Sequence, residues 1–259
     1  MKKNVLCALG LVMLSAGGVA SAVQYTWNLS NPTNGTYSNG ITYSSEGGSL
    51  NFTSTSGDKT LKVNAFRTSS SDGSGLLQDA KVTSDGNWGL GVLSGGEYDY
   101  PENLTLDNDG RDEVLVFDSQ MANFDWSSLN LGFVYSGSEL KYWTGNGGSS
   151  GFDFNNLCLM TSCSGQTLAS MGFASATASG LSTGSSKDVT TQNGRYLVVS
   201  GQLPNSNGFE KFKISSVGGY GNAPEPQSMA LIAIGILAML EVRRRVPGAR
   251  PRQGEVRFA

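Results

Sequence analysis

The sequence predicts an all-β fold, a single β-sandwich or jelly-roll-like domain over residues 23–221, on three observations. Turn dipeptides recur at Asn34-Gly35, Asn39-Gly40, Asp72-Gly73, Asp85-Gly86, Asn146-Gly147, Asn193-Gly194 and Asn207-Gly208, each supplying residues that tolerate the positive φ of a tight hairpin. Between them apolar side chains mostly alternate with polar ones, the period of a half-buried strand. The stretch is also rich in Gly, Ser, Thr and Asn and about 200 residues long, enough for one β domain around a single core. A helix would be interrupted at nearly every one of these turns.

At the N-terminus Lys2 and Lys3 precede an apolar run from Val5 to Leu14, and Ala20-Ser21-Ala22 follows with small side chains. This is the layout of a secretory signal peptide over residues 1–22, a substrate for signal peptidase, with the mature chain starting at Val23. The run is shorter than the roughly 20 residues that a retained membrane helix needs. Cys7 lies inside it and is expected to leave with it.

The first strands read as Tyr25, Trp27 and Leu29, then Leu61, Val63 and Ala65, each alternating with polar neighbours. An acidic stretch follows, with Glu97, Asp99, Glu102, Asp107, Asp109, Asp112, Glu113 and Asp118 relieved only by Arg111. Within it Asp107, Asp109, Asp112 and Glu113 alternate oxygen donors around Gly110. That pattern suits a calcium loop, because Ca²⁺ takes several carboxylate and carbonyl oxygens around a tight turn. It equally suits a hairpin loop whose acids cap backbone amides, and the spacing is not that of an EF-hand. Paired carboxylates could also serve a glycosidase.

Val114-Leu115-Val116-Phe117 and Tyr196-Leu197-Val198-Val199 are continuous apolar runs, expected as central strands covered on both faces. Leu129, Leu131, Phe133 and Tyr135 alternate again. Trp88, Tyr98, Tyr100, Trp126, Tyr135, Tyr142 and Trp143 could stack on sugar rings, but Trp88 and Trp126 are expected in the core. Cys158 and Cys163 close a short loop in a chain expected to mature in an oxidising compartment, so a local disulfide is expected. The Ser, Gly, Ala and Thr of Ser164 to Ser186 read as a long surface excursion, with one helical turn near Leu168 to Phe173.

Composition removes whole classes of function. The chain has no histidine, which excludes Ser-His-Asp and Cys-His catalysis and histidine-ligated metals. From Val23 to Gly221, 10 Lys and Arg stand against 18 Asp and Glu, a net charge of −8 that repels nucleic acid. No enzyme activity is expected.

After the last strand-like segment, Phe209 to Val217, the sequence runs Pro224-Glu225-Pro226, an apolar segment from Met229 to Leu240, and Arg243-Arg244-Arg245. The prolines keep their segment extended, the apolar segment partitions into the membrane, and the arginines hold their end in the cytoplasm. Residues 222–245 in this order resemble the PEP-CTERM sorting signal of exosortase substrates, followed here by a basic C-terminal extension over 246–259. A second resemblance rests on Trp88-Gly89-Leu90-Gly91-Val92, on Leu106-Asp107-Asn108-Asp109-Gly110-Arg111-Asp112-Glu113 running into Val114 to Phe117, on Leu131-Gly132-Phe133 and on Tyr142-Trp143-Thr144-Gly145. These segments are similar to the exosortase-dependent surface protein family.

The resemblance implies an exported protein of a Gram-negative bacterium, held briefly in the inner membrane and released to the cell surface or extracellular matrix. An exosortase is the implied processing partner, acting at Pro224, Glu225 and Pro226, and exopolysaccharide is the implied surroundings. A structural or adhesive role is expected, and a calcium-dependent carbohydrate-binding module is the alternative.

Overall fold

Period-two burial sets most of the strands in the computed structural model, which describes residues 22–70, 74–94, 104–108, 111–147, 152–159, 163, 165–201 and 210–221. β1 (Val23–Asn28) buries Tyr25 and Trp27 and leaves its alternate residues outward. β2 (Thr36–Ser38) and β3 (Ile41–Tyr43) are joined at Asn39 and Gly40, whose φ of +50° and +79° make the left-handed turn their side chains tolerate. Then come β4 (Leu50–Thr53), β5 (Thr60–Thr68), β6 (Leu77–Asp85), β7 (Gly89–Leu93) and β8 (Leu106–Asp107). β9 (Glu113–Asp118), β10 (Asp125–Val134) and β11 (Leu140–Gly145) follow, and a single 3-10 turn, Phe154–Asn156, leads into β12 (Leu157–Cys158). The remaining strands are β13 (Gln166–Thr167), β14 (Ala174–Ala178), β15 (Ser186–Asp188), β16 (Tyr196–Gly201) and β17 (Lys211–Gly221).

The described residues are therefore all-β. Every strand except the parallel pair β12 and β13 joins one large antiparallel sheet, whose main path runs β14-β11-β16-β9-β5-β6-β7-β17-β10-β15. β6 is the strand that turns the sheet. Its first residues, Leu77 to Ala80, pair with β5, and its last, Lys81 to Asp85, pair with β7. The two halves fold toward each other about this strand, nearly closing a barrel. Trp27, Val82, Trp126, Leu131 and Ile214 of one half meet Phe52, Val63, Phe117, Tyr142 and Val199 of the other in a single core.

A second apolar cluster covers the opposite face of the β5-β9-β16-β11 half. Phe66, Val114, Val116, Trp143 and Val198 point outward there, and Phe154, Leu157, Leu159, Leu168 and Phe173 pack down on them. This accounts for the continuous apolar runs of β9 and β16, which are buried on both faces. Phe152, Phe154, Phe173 and Tyr196 anchor the cover as four rings in mutual contact, with centroids 4.7–6.5 Å apart. Cys158 and Cys163 are bonded to each other within it, their Cα atoms 6.1 Å apart.

Two sequence expectations change. Ser164 to Ser186 is not a surface excursion throughout, because β13 and β14 lie in it, β15 begins at its last residue, and Leu168, Phe173 and Leu181 are buried. Small side chains let β14 lie against β11, and the one expected turn is present, with Met171 N donating to Thr167 O at 3.1 Å. Trp88 is 43% exposed, unlike the buried Trp126, because it sits in the β6-β7 connection and meets only the edge of Phe133 on the outer face. The signal segment up to Ser21, the segment 222–245 and the extension 246–259 lie outside the described residues.

Candidate functional site

The acidic loop was the most unusual local feature of the sequence, and its described carboxylates, Asp107, Asp112 and Glu113, are turned inward. Asp107, Asp112 and Glu113 are all buried, which a charged group tolerates only with partners. Glu113 accepts a hydrogen bond from Ser94 Oγ on one oxygen and from the backbone N–H of Asp107 at 3.1 Å on the other. Asp107 accepts from Thr105 Oγ1 at 3.2 Å and lies 3.9 Å from Lys211 Nζ. Asp112 is held through its backbone, its N–H donating to Thr68 Oγ1 at 3.1 Å while Thr68 N donates to its carbonyl at 2.9 Å. These bonds tie β8 to the start of β9. Among the described residues no group of three or more acidic or cysteine side chains converges in a way that could hold a metal ion, and Asp109 lies outside them.

Removing the Glu113 carboxylate leaves two buried donors without their acceptor. Glu113→Ala is expected to lower unfolding stability by about 2 kcal/mol, the cost of stranding such groups. A urea midpoint equal to that of the wild type would show that these bonds do not hold the loop.

A concave feature among the described residues lies elsewhere, and strand alternation builds it. On β5 Lys62, Asn64 and Phe66 alternate with inward Leu61, Val63 and Ala65, so these three face out. Register then sets Lys62 opposite Asp118 of β9, and Asp118 opposite Tyr196 of β16, in one row across three strands. The covering segment packs on Tyr196 at one end of this row and leaves Lys62 exposed at the other. Its first residues, Phe152 to Asn155, form one wall, and Gly47 and Asp79 complete an open cleft of about 410 Å³. That is within the size range of ligand sites.

Fixed partners hold the lining side chains. Arg195 Nε and a terminal nitrogen donate to the two oxygens of Asp118 at 2.7 and 2.8 Å, a bidentate pair that fixes both planes. The guanidinium lies 5.1 Å from the centroid of the Tyr196 ring, a cation–π arrangement. The Asp118 hydrogen bonds raise Arg195 above its ordinary pKa, so this cation stays charged throughout the physiological range. Burial pushes the Tyr196 phenol up, and the Asp118 charge adds to the effect. Asn155 Nδ2 donates to Asp79 Oδ1 at 3.3 Å, and Asp153 accepts from Asn155 N at 3.0 Å, which caps the 3-10 turn.

The cleft is mostly polar, with carboxylates, amides, cations and aromatic edges spread around it. Of the residues singled out in the sequence Asp118, Val116 and Tyr196 reach it, the first through the acidic run and the other two through the continuous apolar strands. Lys62, Asn64, Asp79 and Arg195 carried no motif; the one usable signal was that Lys62 and Asn64 occupy outward positions of an alternating strand. Asp107, Asp112 and Glu113 serve the loop, and Cys158 and Cys163 serve the cover. Pro224, Glu225, Pro226, Arg243, Arg244 and Arg245 lie outside the described residues. No family model, curated protein or solved structure matches the chain.

Proposed function

We propose that this chain is a non-enzymatic component of a bacterial cell surface or extracellular matrix, exported through its N-terminal segment and sorted by an exosortase acting on its tail. The carrying observation is the tail itself: Pro224-Glu225-Pro226 stands directly before Met229 to Leu240, and Arg243 to Arg245 close the segment. An extended site beside a membrane segment with a cytoplasmic arginine anchor is what a membrane protease acting from outside requires. The role is structural or adhesive. The disulfide-closed cover over a β domain and the buried carboxylates of the acidic loop, engaged in internal hydrogen bonds, fit that role. The folded sheet is read at the finer level as a jelly-roll-like sandwich in which β6 belongs to both layers.

C-terminal mass spectrometry of protein recovered from the cell surface tests the sorting. Chains ending close to Glu225 are expected. Surface protein that still carries Val246 to Ala259 would contradict processing at this tail.

A further inference from the structure

Three features stand out beyond the sorting tail: the unpaired outer edge of β14, the exposed Trp88 beside Phe133, and the cleft between β5, β9, β16 and the covering segment. Neither the edge nor the tryptophan has a neighbour that indicates an occupant. The cleft does, through its own chemistry.

We infer that this cleft binds a stretch of neutral glycan chain. Its polar groups are distributed, not convergent: Lys62, Asn64 and Asp118 lie along the floor, while Asp79 and Asn155 face in from one side. A single ion would draw carboxylates together. A polyhydroxylated ligand instead needs separate acceptors and donors spaced over several ångströms, each matched to one hydroxyl. Phe152 and Tyr196 also line the cleft and add apolar surface to it.

Charge selects neutral over acidic sugars. Asp118 is balanced by Arg195, so Lys62 is left among Asp79 and Asp153, in a domain of net charge −8. A uronate chain would approach against that field. The site is also organised before any ligand arrives. The bidentate Asp118–Arg195 pair, the Asn155–Asp79 bond and the four-ring anchor under Phe152 and Tyr196 fix the rotamers, which cuts the entropic cost of binding. Lys62 and Asp153 are exposed at the rim, so the cleft is open and admits the middle of a chain as well as its end.

The inference rests on the matrix reading only for where such a glycan would be met. Calorimetric titration of the full-length chain in mild detergent is the test, with neutral hexose and N-acetylhexosamine hexasaccharides and an oligouronate as probes. Binding of at least one neutral probe is expected, with no binding of the oligouronate. Lys62→Ala and Asp79→Asn are each expected to weaken it about tenfold, the equivalent of one charge-assisted hydrogen bond. Unfolding midpoints of both variants close to wild type show that the fold is kept. The assignment is overturned if no neutral probe binds at about 1 mM, if the oligouronate binds instead, or if either folded variant binds as the wild type does. Correct surface sorting with no glycan binding removes this inference alone, and glycan binding by a chain that is not sorted removes only the sorting proposal.

Discussion

Gly91→Ala is expected to destabilise the domain by at least about 3 kcal/mol, toward the upper end of overpacking effects. Gly91 lies in the middle of β7, buried, paired with Thr83 of β6, and the chain at Leu104 and Thr105 crosses directly over it. A Cβ at this position would stand 1.9 Å from the carbonyl oxygen of Leu104 and 2.6 Å from its carbon. Neither strand can give way. β7 is held on one side by its ladder to β6, and the crossing segment is held by Val92 N donating to Thr105 O at 3.1 Å and by Leu106 pairing with Phe212. For a domain of this length the loss corresponds to a fall in melting temperature of roughly 6–12 °C. Gly86→Ala is the matched control, since its only near neighbour is Ser30 O at 3.9 Å, and it is expected to melt as the wild type does. Equal melting of Gly91→Ala and Gly86→Ala would mean that the crossing segment is far looser than its hydrogen bonds indicate.

Gly91 also shows which features could be read from sequence. The Gly-Leu-Gly-Val segment stood out only as a resemblance, and its physical cause is a crossing by residues 13 and 14 positions further along the chain, which no local pattern reveals. Alternation was legible because it is local: Tyr25, Trp27, Leu61, Val63, Leu129 and Leu131 all face the core as their period required. The doubly buried β9 and β16 were legible for the same reason, although what covers them was not. The cover comes from Phe154, Leu157 and Leu159 and from Leu168 and Phe173, the few large residues of a stretch otherwise rich in Ser, Gly and Ala. Turn chemistry was only partly legible. Asn39-Gly40 and Asn146-Gly147 place their glycines at positive φ, whereas after Asp85 that conformation falls on Gly89, at +96°, and not on Gly86. The cleft was the least visible feature because its row unites Lys62, Asp118 and Tyr196, brought together only by the β5-β9-β16 register. Runs of like charge draw attention in a sequence, yet Asp107, Asp112 and Glu113 were committed to internal bonds, and among the run's described acids only Asp118, at its end, faces the cleft.

Changing Pro224 and Pro226 together to alanine is expected to leave the chain stranded in the inner membrane and absent from the cell surface. On the proposed sorting reading, once export has begun, translocation continues until Met229 to Leu240 partitions into lipid and Arg243 to Arg245 resist crossing. The apolar segment covers only about 18 Å at ~1.5 Å per residue, against a bilayer core of about 30 Å, so the residues just before it are drawn to the outer interface. Proline at 224 and 226 lacks the amide hydrogen a helix needs and biases the preceding residue to extended backbone, which keeps the peptide bonds around Glu225 open to a protease. With alanine at both positions a helix over Met229 to Leu240 would be free to extend back past position 226 to Glu225. Its backbone hydrogen bonds would then close over the bonds to be cut, and the longer helix would fit the bilayer better. Two effects therefore act in one direction, loss of the substrate conformation and firmer anchoring. Fractionation of cells expressing the wild type and the double variant, read by immunoblotting against the β domain, measures the outcome. Near-complete retention of the variant in the inner membrane is expected, with no change in melting of the β domain. If the double variant reaches the surface as the wild type does, the prolines do not direct sorting, and Met229 to Leu240 is better understood as a simple tail anchor.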